Sequence, residues 1–215
     1  MKVVCISDTH GKHRHVEVPE GDLLIHAGDI SRRGYPKEIR KFNDWLGTLP
    51  HPHKVMIAGN HDFLFENDPK QAEAMITNAI YLNDSGVTIE GIRIWGSPIS
   101  PEFHDWAFNR ERGEAIRQHW EMIPTDTDIL ITHGPPKGIL DRTFLGKRVG
   151  CEDLTDVVTK IKPRYHIFGH IHEAYGVKEI DETTYINVSI LNLLYRVAHK
   201  PITFDIKLPG AEWEM

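Results

Sequence analysis

A chain of 215 residues with 40% hydrophobic and 26% charged residues has the size and composition of one well-buried folded domain. Its net charge of −6 argues against a dedicated duplex-DNA binder, which carries a basic surface, and leaves small anionic substrates open. No Ser/Gly-rich or Pro-rich linker, like-charge block or repeat divides it, so residues 1–215 are expected to form a single domain; the 14 histidines are the one unusual count.

The first apolar run, "KVVCIS" (2–7), reads as a short buried strand and breaks at Asp8, too soon for a signal-peptide core or a membrane span. The chain is therefore expected to be cytoplasmic with no membrane partner, and Cys5 to be buried. "DLLIHAGD" (22–29) repeats the shape and ends in Asp29. "YPKEIRKFNDWLGTL" (35–49) reads as a helix with Pro36 in its first turn and Ile39, Phe42, Trp45, Leu46 and Leu49 on one face. "HKVMIAGNHD" (53–62) is a third strand signal, ending near Asn60, and "DPKQAEAMITNA" (68–79) a second helix. In "GVTIEGIRIWGSPI" (86–99) two alternating runs flank Glu90-Gly91, a hairpin signal. "GEAIRQHWEMI" (113–123) and "CEDLTDVVTKI" (151–161) read as further helices, with Cys151 expected as an incidental surface thiol. Between them "DILITHGPP" (128–136) ends in His133, and after them "YHIFGH" (165–170) ends in His170. "TTYINVSI" (183–190) and "PITFDIKLP" (201–209) add strand without helix, so the sheet is expected to be mixed, with antiparallel strands added late.

Five short strand signals thus each end in a residue able to bind metal, and in open α/β sheets such ends gather on one side. Collected in order, the strand-end groups are Asp8, His10, Asp29, Asn60, His61, His133, His170 and His172. Carboxylate, amide oxygen and imidazole together suit Mn²⁺, Fe²⁺ or Zn²⁺ better than Mg²⁺ or Ca²⁺. Seven of these eight could be ligands, too many for one ion and enough for two sharing a carboxylate.

The ordered fragments "SDTHG", "AGD", "GNHD", "THGPP" and "GHIH" resemble the calcineurin-like metallophosphoesterase superfamily over most of the chain, from Asp8 to His172. The longer strings "CISDTHGKHR", "LLIHAGD", "VMIAGNHD" and "HIHEAYG" are similar to a narrower group, the metallophosphoesterase-domain-containing (MPPED) proteins, whose members act on phosphodiesters. The resemblance implies a four-layer α/β/β/α sandwich of two mixed sheets flanked by helices. It implies two divalent ions, Mn²⁺ first, with Asp8, His10 and His172 on one, Asn60, His133 and His170 on the other, and Asp29 bridging. His170 and His172 would then be spaced by one so that each serves a different ion, Gly169 giving the backbone room to turn. The implied reaction is in-line attack of a bridging hydroxide on a small, nucleotide-type phosphodiester, with His61 as proton donor to the leaving oxygen.

Other residues carry weaker expectations. His26 is a candidate to donate to a ligand carboxylate, and Asp62 to neighbour the site. Arg32, Pro135 and Lys137 follow ligands closely and are candidates to touch substrate, against readings as a solvated charge and a rigid turn. His13, His15, His51, His53, His104, His119 and His199 are expected on loops or solvated surface. A protein Ser/Thr phosphatase is disfavoured because "GDISRRG" places Arg32 where that group's "GDxxDRG" needs Asp. A zinc amidohydrolase is disfavoured because its H-x-H ends the first strand. The competing class is a metal-binding scaffold of the same fold with little or no catalysis.

Overall fold

A computed structural model describes residues 1–209; the end of the single-domain span expected above, 210–215, lies outside the described residues. In chain order the elements are β1 (Lys2–Ile6), β2 (Leu23–Ala27), α1 (Pro36–Thr48), β3 (His53–Ile57), α2 (Phe63–Asn67), α3 (Pro69–Ala74), β4 (Ile80–Tyr81), β5 (Ser85–Ile89), β6 (Ile92–Ser97), β7 (Ser100–Pro101), β8 (Asn109–Arg110), α4 (Glu114–Glu121), β9 (Ile129–Thr132), α5 (Glu152–Ile161), β10 (Tyr165–Phe168), β11 (Gly176–Ile180), β12 (Thr183–Asn187) and β13 (Ile202–Asp205). One sheet runs β13-β1-β2-β3-β4 and the other β11-β12-β10-β9-β6-β5, with β7-β8 a separate short pair.

Burial follows from the residue types. Every residue of β2 and β9, and all of β1 after Lys2, is buried, as expected of parallel strands covered on both faces. Val3, Cys5, Leu23, Ile25, Val55 and Ile57 of the first sheet pack with Ile92, Ile94, Ile129, Ile131, Ile167 and Ile186 of the second, so the two sheets lie face to face. Their alternating neighbours, Val4, Leu24 and Met56 on one side and Leu130, Phe168 and Tyr185 on the other, meet Ile39, Phe42 and Leu46 of α1, Ile116 and Trp120 of α4, and Leu154 and Val158 of α5. The layers are therefore α/β/β/α. Glu38 fixes the entry of α1 by accepting the Arg32, Arg33 and Tyr35 amides. Glu90 and Gly91, at φ 49° and 80°, make the two-residue hairpin turn.

Parallel register keeps the carboxyl ends level: Ile6 pairs with His26, Ala27 with Ile57, and Ser97 with Thr132. The two sheets join at that edge, where Ser7 bridges Ser189. β5, β11 and β13 are the antiparallel edge strands, but the late β12 pairs parallel with β10 because β11 carries the chain back first.

Three sequence expectations fail on burial. Cys151 is buried, not at the surface, because Pro136 bridges to it and its amide donates to the Pro135 carbonyl, drawing the start of α5 inward. His13 is buried against Phe42 and Trp45 of α1, with ring centroids 5.4 and 5.1 Å away, and His51 is buried just past the end of α1. No helix among the described residues is long and apolar enough to cross a membrane.

Candidate metal centre

Past the level strand ends the backbone turns sharply, at non-glycine residues. Asp8, His10, Asp29 and His170 have φ of 52°, 41°, 56° and 67°. A left-handed conformation costs a side chain of this kind roughly 1–3 kcal/mol, and such residues cluster at functional sites. Neighbouring strands hold them there: the Asp8 amide donates to Gly28, that of His10 to Asp29, and that of Gly169 to His133, each at 3.0 Å. The His170 amide donates to the Asp8 carboxylate at 3.0 Å. Gly169 is not a turn residue as expected, since the left-handed position is His170. A Cβ on Gly169 would lie 2.1 Å from both Asp8 Oδ2 and Ser7 Oγ, so glycine is required there for close approach of strands. Gly59 has the same role, with a Cβ falling 2.3 Å from Asp29 Oδ1.

Four rings are oriented by one device. Nδ1 of His10, His61, His133 and His172 meets the carbonyls of Ser31, Arg32, Ala27 and Asn192 at 3.2, 3.0, 3.0 and 3.2 Å. A proton on Nδ1 turns each Nε2 inward, the usual support of a metal-binding imidazole. Nε2 of His133, His10 and His61 lies 3.4, 3.6 and 4.0 Å from Asp29 Oδ2, and Nε2 of His172 lies 3.5 Å from Asp8 Oδ1. Asn60 Oδ1 is 2.9 Å from His133 Nε2, and the His170 ring packs 5.0 Å from that of His133. Three triads have ligand atoms within 4.8 Å of one another: Asp8-His10-His172, His10-Asp29-His61 and Asp8-Asp29-His133. Asp8, His10, Asp29, His133 and His172 thus share these triads, Asn60 and His170 lie against His133, and Asp29 sits between the His10 and His133 sides.

The electrostatics demand positive charge. Asp8 and Asp29 are 0% and 2% exposed, yet among the described residues their ion-pair partners are histidines alone, with no Lys or Arg. Burial pushes both carboxyls up, but His172, His133 and His10 at Asp8, and His133, His10 and His61 at Asp29, outweigh it and hold both below the carboxylate range. Burial lowers His133 too, yet Asp29 reverses this and raises it to about 9. Burial takes His10 down to about 4 and His170 to about 3, so both remain neutral and able to ligate. His10 Nε2 is buried with no hydrogen-bond partner. Two buried carboxylates, an amide oxygen and an orphaned imidazole nitrogen form a donor set that fits a divalent cation.

The remaining expectations divide. His26 does not reach a carboxylate; its Nε2 meets Thr9 Oγ1 at 3.1 Å and its ring packs on Phe42, because its strand position faces α1. Asp62 does neighbour the site but does not orient His61. It accepts from the amides of Ile30, Ser31 and Gly59 and from Ser31 Oγ at 3.1, 3.0, 2.9 and 2.6 Å, tying the Asp29 turn to the Asn60 turn. Burial, then the nearby Asp29 charge, raises Asp62 to about 7. Arg32 lines a cleft of about 390 Å³ with His10, Gly11, Arg14, Glu38 and Lys41. Pro135 and Lys137 are committed elsewhere: the Pro135 carbonyl accepts from Cys151, and Lys137 pairs with Glu152 at 2.6 Å. A larger groove of about 480 Å³, lined by Lys2, His15, His199 and Lys200, contains none of the expected ligands, so the chemistry favours the smaller cleft. Sequence reasoning missed Ser189, whose Oγ donates to Asp8 Oδ2 at 2.8 Å across 181 residues, and Trp106, whose ring lies 4.2 Å from that of His61.

The sequence profile described as "Calcineurin-like phosphoesterase" matches residues 1–174. Metallophosphoesterase domain-containing protein 1 of Homo sapiens is 43% identical over 235 aligned positions, covering 97% of this chain and 72% of that protein. A 3′,5′-cyclic-nucleotide phosphodiesterase of Nostoc is 25% identical over 171 positions, covering 73% of this chain and 58% of that protein. A solved structure from Thermus thermophilus shares the fold with a TM-score of 0.62 at 15% identity, covering 96% of this chain and 99% of that one.

Proposed function

This chain belongs to the calcineurin-like phosphoesterase family, and we propose that it is a dinuclear, divalent-metal-dependent phosphodiesterase acting on small nucleotide-type phosphodiesters. The observation that carries the reading is the pair of buried carboxylates, Asp8 and Asp29, surrounded by inward-facing Nε2 atoms and by no Lys or Arg among the described residues. Asp8, His10 and His172 would hold one ion, Asn60, His133 and His170 the other, and Asp29 both; Mn²⁺ suits the donors, with Fe²⁺ or Zn²⁺ as alternatives. Bound there, two such ions supply a water acidified to near neutrality and offset the charge growing on the phosphoryl oxygens.

The chain's own residues do the rest. Arg14, Arg32 and Lys41 put positive charge in the cleft that opens on His10, which draws an anion to an otherwise acidic protein. Asp29 is fixed by the His61 amide, which donates to its Oδ1 at 2.8 Å. His61 is held through Nδ1 by the Arg32 carbonyl and from the side by Trp106, so that in its imidazolium form, protonated on both nitrogens, it donates the Nε2 proton to the departing oxygen and keeps the Nδ1 proton. The nucleotide-type substrate rests on the cyclic-nucleotide phosphodiesterase similarity.

The test is to strip the protein with chelator, restore Mn²⁺ and compare hydrolysis of a p-nitrophenyl phosphodiester with p-nitrophenyl phosphate. Metal-dependent turnover that favours the diester is expected. Preference for the monoester would overturn the diester assignment, and absence of turnover on both with metal bound would favour the scaffold.

A further inference from the structure

The mouth of the metal centre is walled by aromatic rings, two of which, Tyr195 and Phe103, the proposed chemistry leaves without a task. On one side Tyr195 packs its ring 4.9 Å from His10 and 5.4 Å from His172. On the other, Phe103 lies 5.3 Å from His170 and nearly parallel to Trp106 at 6.4 Å and 17°, while Trp106 covers His61. His10 and His61, 4.5 Å apart, lie between these walls. Tyr195 and Phe103 are nonetheless 42% and 40% exposed, large apolar faces left open to solvent beside buried ligands.

Tyr195 is held there at a cost. Its backbone is left-handed, at φ 53°, where a bulky side chain is strained. The tight turn around it is built by Asn192, whose side-chain oxygen accepts the Leu194 and Arg196 amides at 3.0 and 3.1 Å and whose carbonyl accepts the Tyr195 amide at 2.8 Å. The Lys12 ammonium closes on the Tyr195 carbonyl. The same Asn192 carbonyl orients His172, so one residue sets both a ligand and the ring beside it.

We propose that Tyr195, opposite Phe103 and Trp106, is a specificity-determining residue that stacks on a planar aromatic ring carried by the arm of the phosphodiester that does not leave. This rests on the phosphodiesterase reading and adds to it the residue that selects the substrate's arm. A flat ring meets both needs of the rim, because it covers exposed aromatic faces and requires no hydrogen-bonding partner there.

The test uses the Mn²⁺-loaded full chain with two esters of one leaving group, bis(p-nitrophenyl) phosphate and methyl p-nitrophenyl phosphate, in wild type, Tyr195→Ala and Tyr195→Phe. Calorimetric binding of adenosine 5′-monophosphate and ribose 5-phosphate runs beside it and needs no turnover. Loss of one stacking partner is expected to lower both ring-to-no-ring ratios about tenfold in Tyr195→Ala, while Tyr195→Phe keeps them within about twofold. A drop in the ester ratio alone would assign the rim to a simple aryl arm, and a drop in both to aryl rings including the nucleobase. Unchanged ratios, or equal losses on both members of each pair with lowered metal content, would overturn the proposal and leave Tyr195 a shield for its neighbouring ligands. If neither ester turns over but the nucleotide ratio falls, the hydrolytic reading fails and the ring-binding rim stands.

Discussion

Gly169→Ala should disable the metal centre without touching a ligand. An added Cβ would stand 2.1 Å from Asp8 Oδ2 and from Ser7 Oγ and 2.8 Å from Ser7 Cβ, where real Cβ contacts essentially never fall under 3.0 Å. The ends of β1 and β10 must therefore part by most of an ångström. Ser7 cannot simply swing away, because its backbone is bonded to Val188 and its Oγ to Asp8. Asp8 would lose the His170 amide and shift relative to His172. Overpacking of this kind costs about 1–3 kcal/mol of stability. A displacement near 1 Å in a reacting constellation costs on the order of 10²-fold in rate. Gly134→Ala is the comparison: it too adjoins an expected ligand, His133, but its Cβ would meet only Ser100 Cβ, at 3.8 Å. Melting temperature, bound Mn²⁺ and kcat/KM on the p-nitrophenyl diester decide it. A Gly169→Ala protein as active and as fully loaded as Gly134→Ala would refute the close-approach account.

His61→Ala should lower turnover of diesters with alkoxide leaving groups by roughly 10²–10⁴-fold and that of p-nitrophenyl esters much less, because p-nitrophenolate leaves without a proton. Equal losses on both would remove His61 as the donor. Asp62→Ala leaves the Ile30, Ser31 and Gly59 amides without their acceptor; at about 1–3 kcal/mol for each buried orphan it should be strongly destabilised. The less disruptive Asp62→Asn should weaken Mn²⁺ binding by about 10–100-fold in a calorimetric titration, as loss of ligand support does. His166, fully buried against Thr132, has its pKa pushed down by burial to about 3. Since it stays neutral when folded but charges when unfolded, its contribution is intact above pH 6.5 and is lost as pH falls toward 3. Chelator-treated protein should therefore lose stability over that window, and His166→Gln should flatten the slope by about 1.4 kcal/mol per pH unit. An unchanged slope in chemical denaturation across pH would contradict this.

The candidate site was legible because its signal is local. Each of five apolar runs stops at a residue able to bind metal, and level parallel register carries those stops to one edge. α1 and the Glu90-Gly91 hairpin were legible for the same reason, a periodicity and a turn pair that need no tertiary information. What failed depends on contacts distant in sequence. Ser189 reaches Asp8 only because the chain after β12 pairs with Ser7. Gly169 reads as a turn residue until the position of Ser7 is known, and His13 and His51 read as polar until the apolar face and end of α1 are in place. The direction of His26 follows from which face of β2 meets α1, and that is set by the whole sheet.

If the strand ends hold two divalent cations about one bridging carboxylate, as proposed, the chelated protein reloaded with Mn²⁺ should carry two ions per chain, and fewer in Asp29→Asn, because the Asp29 carboxylate faces both sides of the cluster. A wild-type chain that binds one ion or none at saturation would contradict the proposal.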